Sequence, residues 1–574
     1  MADPRCIVTA PLPVARGLGF AELATVVAGD ALVRRAWAVG RGAELIVPTL
    51  TGDLSSQYAF DKELAREGHD RTSVKPDELV ARAAAFEEDR RVAAATLFSR
   101  LSVTADLGLA TTVTPAISSA ARTAFVRLYE EGLVEEVDRV LATCPRCRTA
   151  VDAVDTERGE IDGEELTVRL TTSAGDDVDL TVLQPELLPG AVAVAVPDGS
   201  PLAGSTVIVP IADREVPVLA GGGLHHGVGA VVAAHDGADH EVARVHGLTP
   251  VPVLDADGAI VCEGPLQGLG RYAARAAARA LLEAEGVLVG AVPAAEEVWR
   301  CRCCGSVLVP QLGRHWFVRA ADLEVAAADA VRHGLVAFTP PDARDAFLAS
   351  AGSRRDWCLS TQVPGGVELP VSTCLDCGKV TVEVDAPSSC GKCMGTLVAE
   401  PLSLDARFVA AMWPIVLGGW PGKRSGYPPE ETVAVVSPAD LAGWVLPAIA
   451  LALRLSGVAP FAATVVHPWP APESAPDERP FVEDGVDARV LRLALVAGTD
   501  VLEAAEAAVA ALDRPAADDI DPAEAAEAAS AGVAALDDGA PAQAAALLAS
   551  ALIAGVPVDA ADRLRALALP ILGD

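Results

Sequence analysis

Residues 6–48, CIVTAPLPVARGLGFAELATVVAGDALVRRAWAVGRGAELIVP, begin with a short apolar run and pass through a proline- and glycine-punctuated loop. They continue in a long Ala, Val and Leu pattern at helical spacing and end in a second apolar run at Val47-Pro48. That order predicts a strand, a long amphipathic helix and a second strand, a β-α-β unit with parallel strands. Helical periodicity resumes in YAFDKELAREG (58–68), PDELVARAAAFEEDRRVAAATLFSRL (76–101) and AISSAARTAFVRLYEEGLV (116–134). LDARFVAAMWPIVLGGWP (404–421) and ETVAVVSPADLAGWVLPAIALALRL (431–455) supply helix, strand and helix much later in the chain. The expected class is therefore α/β, a split doubly wound parallel sheet of Rossmann type.

What splits the sheet is bracketed by cysteines. Cys144 and Cys147 form one CxxC pair and Cys301 and Cys304 a second, with a domain's length of chain between them. Four thiolates from two such knuckles close a tetrahedral zinc, so the spacing predicts that both ends of the insertion meet at one metal. Cys374, Cys377, Cys390 and Cys393 repeat the pattern locally, as in a zinc ribbon. Two structural zinc ions are expected, and Gly305, Gly378 and Gly391 fall where knuckle turns want a positive φ. Twelve cysteines in 574 residues, with no basic or apolar leader in MADPRCIVTAPLP, suggest a reducing, cytoplasmic location in which paired thiols mean metal. Cys6, Cys262, Cys303 and Cys358 have no partner at knuckle spacing and read as packed thiols.

From about residue 160 the pattern changes to short segments such as LTVRLTT, VDLTVL, AVAVAV, STVIVPI and REVPVLA, which predict a β-rich, barrel-like insertion closing with a helix near Gly270–Gly286. The last ninety residues are Ala-rich and acidic, read as a small helical bundle. The expected divisions are 1–150 for the first half of the core with the first knuckle, 151–300 for the insertion, and 301–400 for the return segment and zinc ribbon. Residues 401–484 form the second core half and 485–574 the bundle.

The formal charge is −34, and lysine occurs only at 62, 75, 379, 392 and 423. A nucleic-acid binder needs clustered cations to offset phosphate, so this balance argues against nucleic acid as a partner. No apolar run reaches membrane-spanning length, because Pro447 and Arg454 interrupt the nearest.

In family order, the chain resembles class I aminoacyl-tRNA synthetases, the valyl-tRNA synthetases most closely. The phrases that carry the likeness include ALVRRAWAVGRGAELIVP, FVRLYEEGLV, CPRCRTAV, GSTVIVPIADREVPVLA, GPLQGLGRYAAR, RDWCLSTQ and LDARFVAAMWPIVLGGWP. The resemblance implies a synthetase-like core, an inserted editing-like domain, and ATP and tRNA as the family's ligands. Yet the family's catalytic motifs are absent. Where it has PPPNVTGxLHxGH, this chain has APLPVARGLGFAE (10–22), with Gly19 and Glu22 at the two histidine positions. The KMSKS segment is replaced within HPWPAPESAPDERPFVEDG (467–485), which is acidic and lacks lysine. GTDHAG is replaced by Thr49–Asp53, and WWGHR by Pro364–Glu368. Asp405, Asp440 and Trp444 stand where the family has pocket residues, and Asp405 and Asp440 also suit helix capping. In the insertion the threonine motif TTRPET reads Val182–Leu187, while an aspartate motif survives as Asp236 and Asp239. These two could grip an ammonium or cap the next helix, and His225 and His226 read as a solvated loop pair.

The reading is a class I tRNA ligase family protein that has lost the HxGH and KMSKS groups. It would be a degenerate paralogue acting as a scaffold or as a binding module for a small molecule or protein, with ATP binding not expected. One alternative is a free-standing aminoacyl ester or aminoacyl-tRNA hydrolase using the editing-like domain; another is a divergent valine-tRNA ligase.

Overall fold

The β-α-β unit at the N-terminus forms as its sequence requires: in the computed structural model the strands Arg5–Thr9 and Ala43–Ile46 pair in parallel, with the helix Phe20–Ala38 between them. The structure describes residues 5–105, 114–221, 228–352, 356–422 and 432–467, together with Arg492 and Ala531. Apart from Arg492 and Ala531, the expected bundle at 485–574 lies outside the described residues, as do the lysine-free segment after His467 and the His225-His226 pair. The chain divides into two compact units, one of Met1–Glu135 with Val318–Asp574 and one of Glu136–Phe317.

In the first unit five parallel strands stand in the order Ala337–Thr339, Ala463–Val466, Val433–Val436, Arg5–Thr9 and Ala43–Ile46. The split sheet is thus closed by late strands pairing directly with the first: Ile7 lies opposite Val433 and Val8 opposite Ala434. From Arg5–Thr9 the chain winds to one side, and the late strands fill the other. A topological switch point therefore lies between Arg5–Thr9 and Val433–Val436, where open α/β sheets hold ligands.

The helix Phe20–Ala38 is not amphipathic, contrary to expectation. Leu23, Val26, Val27, Ala31 and Val33 are all buried, and so is Asp30, so nearly every face is covered. Gly29 permits the close approach, since a Cβ there would meet Leu45 Cδ1 at 2.8 Å. Burial alone would raise the pKa of Asp30, but Arg492, Thr104 and Arg34 outweigh it and hold the carboxyl below the usual range. Arg492 donates to Asp30 Oδ2 at 2.7 Å and to the Leu101 carbonyl at 2.8 Å. Later in the unit, a π-turn at Leu441–Val445 precedes Pro447 and leads into the buried helix Leu446–Ser456. A small antiparallel sheet, Val371–Cys374 between Val380–Val382 and Leu397–Ala399, carries the second cysteine quartet.

The second unit is β-rich. A three-stranded sheet (Leu288–Cys301, Thr156–Thr171, Asp177–Val182) and a four-stranded one (Gly229–Val231, Ala193–Val196, Arg214–Ala220, Thr206–Val209) share one core, and a bridge from Thr172 to Val207 joins their rims. Ala193–Val196 is buried on both faces, because Val194 and Val196 enter that core while Ala193 and Ala195 pack against Ala233 and Ala243. The helix Arg271–Ala284 falls within the expected span.

Candidate functional site

The crevice at the switch point is built from the loop after Arg5–Thr9 and the turn after Val433–Val436. Gly19 is the N-cap of the helix Phe20–Ala38 and offers no side chain. Glu22, in the first turn, reaches back over it: its Oε2 takes the Gly19 N–H at 2.9 Å, and its other oxygen takes a close hydrogen bond from the Arg16 guanidinium. A helix N-terminus attracts anions, and here the chain's own carboxylate occupies it with an arginine already neutralising the charge. Asp440 does not cap the helix that follows it, as it was expected to. Its Oδ2 accepts from the Ser437 N–H at 2.9 Å and Oγ at 2.7 Å, closing the turn across Pro438. Burial pushes the Asp440 carboxyl up and the Ser437 bonds oppose this; Glu22 raises it further and Arg16 lowers it. Trp444 is tied into the core, donating from Nε1 to the Ala410 carbonyl at 3.1 Å with its ring 5.6 Å from Phe461. Asp405 caps Ala406–Leu417 through the N–H groups of Arg407 (3.0 Å) and Phe408 (3.2 Å). His467 lies 2.7 Å from Thr25 Oγ1, and burial pushes its pKa down to about 3, so the imidazole is neutral.

Two segments far apart in the chain, residues 49–53 and 364–368, meet beside the loop after Arg5–Thr9, where the Leu50 N–H donates to the Leu12 carbonyl at 2.8 Å. Gly52, with φ +67°, lies so close to Gly366 that a Cβ on it would sit 2.8 Å from the Gly366 Cα. Gly366 in turn lies against Ser403, which a Cβ would meet at 2.9 Å. Thr49–Asp53 and Pro364–Glu368 therefore pack backbone to backbone, glycine on glycine. The Gly52 N–H donates to Glu87 Oε1 at 3.0 Å, and Asp53 caps the helix Leu54–Arg66. Burial pushes Glu87 up to about 7; the Gly52 bond opposes the shift and Asp53 adds to it. Sequence reasoning missed Glu87, because a Glu-Glu-Asp run on a helix looks like a solvated face.

Both cysteine quartets assemble, one in each unit, with the four Sγ atoms of each within 4.8 Å of one another. Cys144 and Cys304 are 3.4 Å apart, Cys374 and Cys393 3.5 Å, and Cys377 and Cys390 3.7 Å. A tetrahedral zinc with Zn–S near 2.3 Å sets sulfur–sulfur distances of about 3.8 Å, whereas a disulfide needs about 2.05 Å. The donor sets fit zinc. All four knuckles share one turn: the residue after the second cysteine donates its N–H to the carbonyl of the first, in Arg148→Cys144, Gly305→Cys301, Gly378→Cys374 and Met394→Cys390. Each of those residues is left-handed, with φ of 53°, 71°, 66° and 61°. Gly391 is not, which corrects its expected role; Met394 takes the strained position instead.

In the second unit Asp236 caps the helix Gly237–Val245 through the N–H groups of Ala238 and Asp239. Asp239 is buried, and its Oδ2 accepts the Val232 N–H at 2.7 Å. Along Val182–Leu187, Val182 and Leu187 enter hydrophobic cores, Leu183 is exposed, and Gln184 bonds Glu296 at 2.6 Å. Glu186 is fully buried, with Arg275 at 2.7 Å and Arg271 at 3.2 Å. His235 is a buried pin whose Nδ1 lies 2.7 Å from the Pro310 carbonyl, while Nε2 accepts from the Val253 N–H at 2.9 Å.

Over residues 4–469 the chain matches the tRNA synthetases class I (I, L, M and V). It belongs to that family. The valine--tRNA ligase of Desulfotalea psychrophila is 30% identical over 465 residues, covering 76% of this chain and 51% of the relative. That of Syntrophotalea carbinolica is 31% identical over 440 residues, covering 72% and 48%. The chain thus spans about half the length of the curated relatives it matches. Among solved structures, the Agrobacterium radiobacter K84 agnB2 LeuRS-tRNA-LeuAMS ternary complex aligns with TM-score 0.48 and 13% identity over 99% of this chain and 84% of that one. Among the described residues no helix is long and apolar enough to cross a membrane.

Proposed function

We propose that this class I synthetase relative, related to valine--tRNA ligases, does not activate amino acids and serves as a binding or scaffold module. The observation that carries this is the Glu22 carboxylate seated on the helix N-terminus with Arg16 against it. Amino-acid activation depends on stabilising charge that develops on phosphates. Here the arginine beside the helix N-terminus is already paired with Glu22, so a phosphate would have to displace that carboxylate before meeting positive charge. Packing of Gly52 on Gly366 supports the same reading, since the segments that would line an amino-acid and adenylate pocket touch each other.

In this reading the chain has the five parts expected of it, with the core halves, the editing-like insertion and the ribbon kept as architecture in a cytoplasmic protein. Cys144, Cys147, Cys301 and Cys304 would hold one structural zinc, and Cys374, Cys377, Cys390 and Cys393 another; zinc would supply cross-linking of chain segments and no reaction step. The partner is a small molecule or a protein, and tRNA is disfavoured by the charge of −34. Against the hydrolase reading stands the engagement of Asp239 by the Val232 N–H. Pyrophosphate exchange with ATP and valine tests the proposal. No turnover above the no-enzyme rate is expected, and measurable exchange would restore the ligase reading.

A further inference from the structure

The strand Thr156–Thr171 runs beyond its sheet. Asp177–Val182 pairs only with Leu166–Thr171, so among the described residues 157–165 are bonded to Leu288–Cys301 on one side and to no strand on the other. The result is a two-stranded ribbon with an open edge free of proline, the kind of edge to which an extended chain adds by main-chain hydrogen bonds. Its outward face is unusual in charge. Glu160 lies directly opposite Glu297, with Asp162 next along the same face, and all three are exposed. Glu164 is taken by Arg279 at 2.9 Å, but among the described residues Glu160, Asp162 and Glu297 form no ion pair. Like charges directly opposite across a ladder oppose its pairing, so the pair works against the ribbon it sits on. Beside it, on the same face, Trp299 is 47% exposed with Arg158 over its ring at 5.1 Å.

We propose that this ribbon is a docking edge for an extended, lysine- and arginine-bearing segment of a partner protein. Charge complementarity selects that occupant. A second copy of this chain would bring carboxylates against carboxylates, and a nucleic-acid backbone would bring phosphates. A strand of alternating basic and small apolar residues instead pairs its cations with Glu160, Asp162 and Glu297 and adds its backbone to the open edge. Trp299 offers its exposed surface to an apolar or cationic neighbour. The edge is independent of the crevice's chemistry, so a nucleotide-competent crevice would leave it standing.

The test uses the full chain and a labelled twelve-residue peptide alternating lysine with threonine and valine, titrated by fluorescence anisotropy at physiological salt. The expected result is saturable binding that weakens at least tenfold in E160Q/D162N/E297Q. A peptide of the same charge, N-methylated at every second residue to block edge pairing, should lose binding to the same extent. Equal affinity of the triple variant, or of the methylated peptide, would overturn the proposal and leave the carboxylates as guards against edge aggregation. Thermal unfolding of the triple variant, expected to be at least as stable as the parent, excludes misfolding as the cause of a loss.

Discussion

At the scale of single residues, the crevice is defined by groups that satisfy one another. Glu22 is held by Gly19 and Arg16, and Asp440 by Ser437. Glu87 has the clearest pH signature. Its folded pKa of about 7 lies above the ordinary value, so between roughly pH 4.5 and 7 the folded chain keeps a proton that the unfolded chain has released. Stability from this group is therefore complete at low pH and lost as pH rises through 7, by roughly 3 kcal/mol in all. Glu87→Gln keeps an acceptor for the Gly52 N–H and cannot ionise. Its advantage over the parent in urea unfolding should be near zero at pH 4.5, grow through pH 7 and then level off. A pH-independent difference would count against the shift. His467 acts in the opposite sense: with its pKa lowered to about 3, it is neutral when folded, and stability is lost as pH falls below about 6.5. Asp236 and Asp405 were legible as caps because each directly precedes a helical pattern. Asp440 was not, because its role depends on the turn that Pro438 imposes.

At the scale of elements, the knuckles show how far spacing can be read. CxxC spacing located both quartets, since four thiolates at those separations suit a single ion. It did not reveal which residue turns left-handed, because Gly391 looked suitable while Met394 takes the position without a glycine's freedom. Non-glycine residues there cost about 1–2 kcal/mol, and the Met394 side chain is 76% exposed, so little packing is lost with it. Met394→Gly should therefore raise stability by about 1 kcal/mol in denaturant unfolding; a loss of similar size would contradict the turn geometry. Elemental analysis should give about two zinc per chain, and a strong chelator should lower the melting temperature of both units. A zinc content near zero would remove both cross-links from the account. The helix Phe20–Ala38 marks the converse limit of pattern reading. Its Ala, Val and Gly positions are compatible with one apolar face, and only the closure of late strands onto Arg5–Thr9 buries the rest.

At the scale of the whole molecule, the split sheet was legible because each half carries its own strand and helix pattern and cysteines mark the break. The contact of Gly52 with Gly366 was not, since the two are more than 300 residues apart in the chain and nothing local in either requires the other. In the proposed function a class I synthetase architecture persists around a crevice closed to nucleotide by its own carboxylate and its own backbone. Thermal unfolding with a non-hydrolysable valyl-adenylate mimic tests this most directly, because a ligand at a hundred times its Kd stabilises a folded chain by about 2.7 kcal/mol. No change in Tm is expected up to millimolar mimic. A saturable rise in Tm, abolished by altering the Arg16–Glu22 pair, would contradict it.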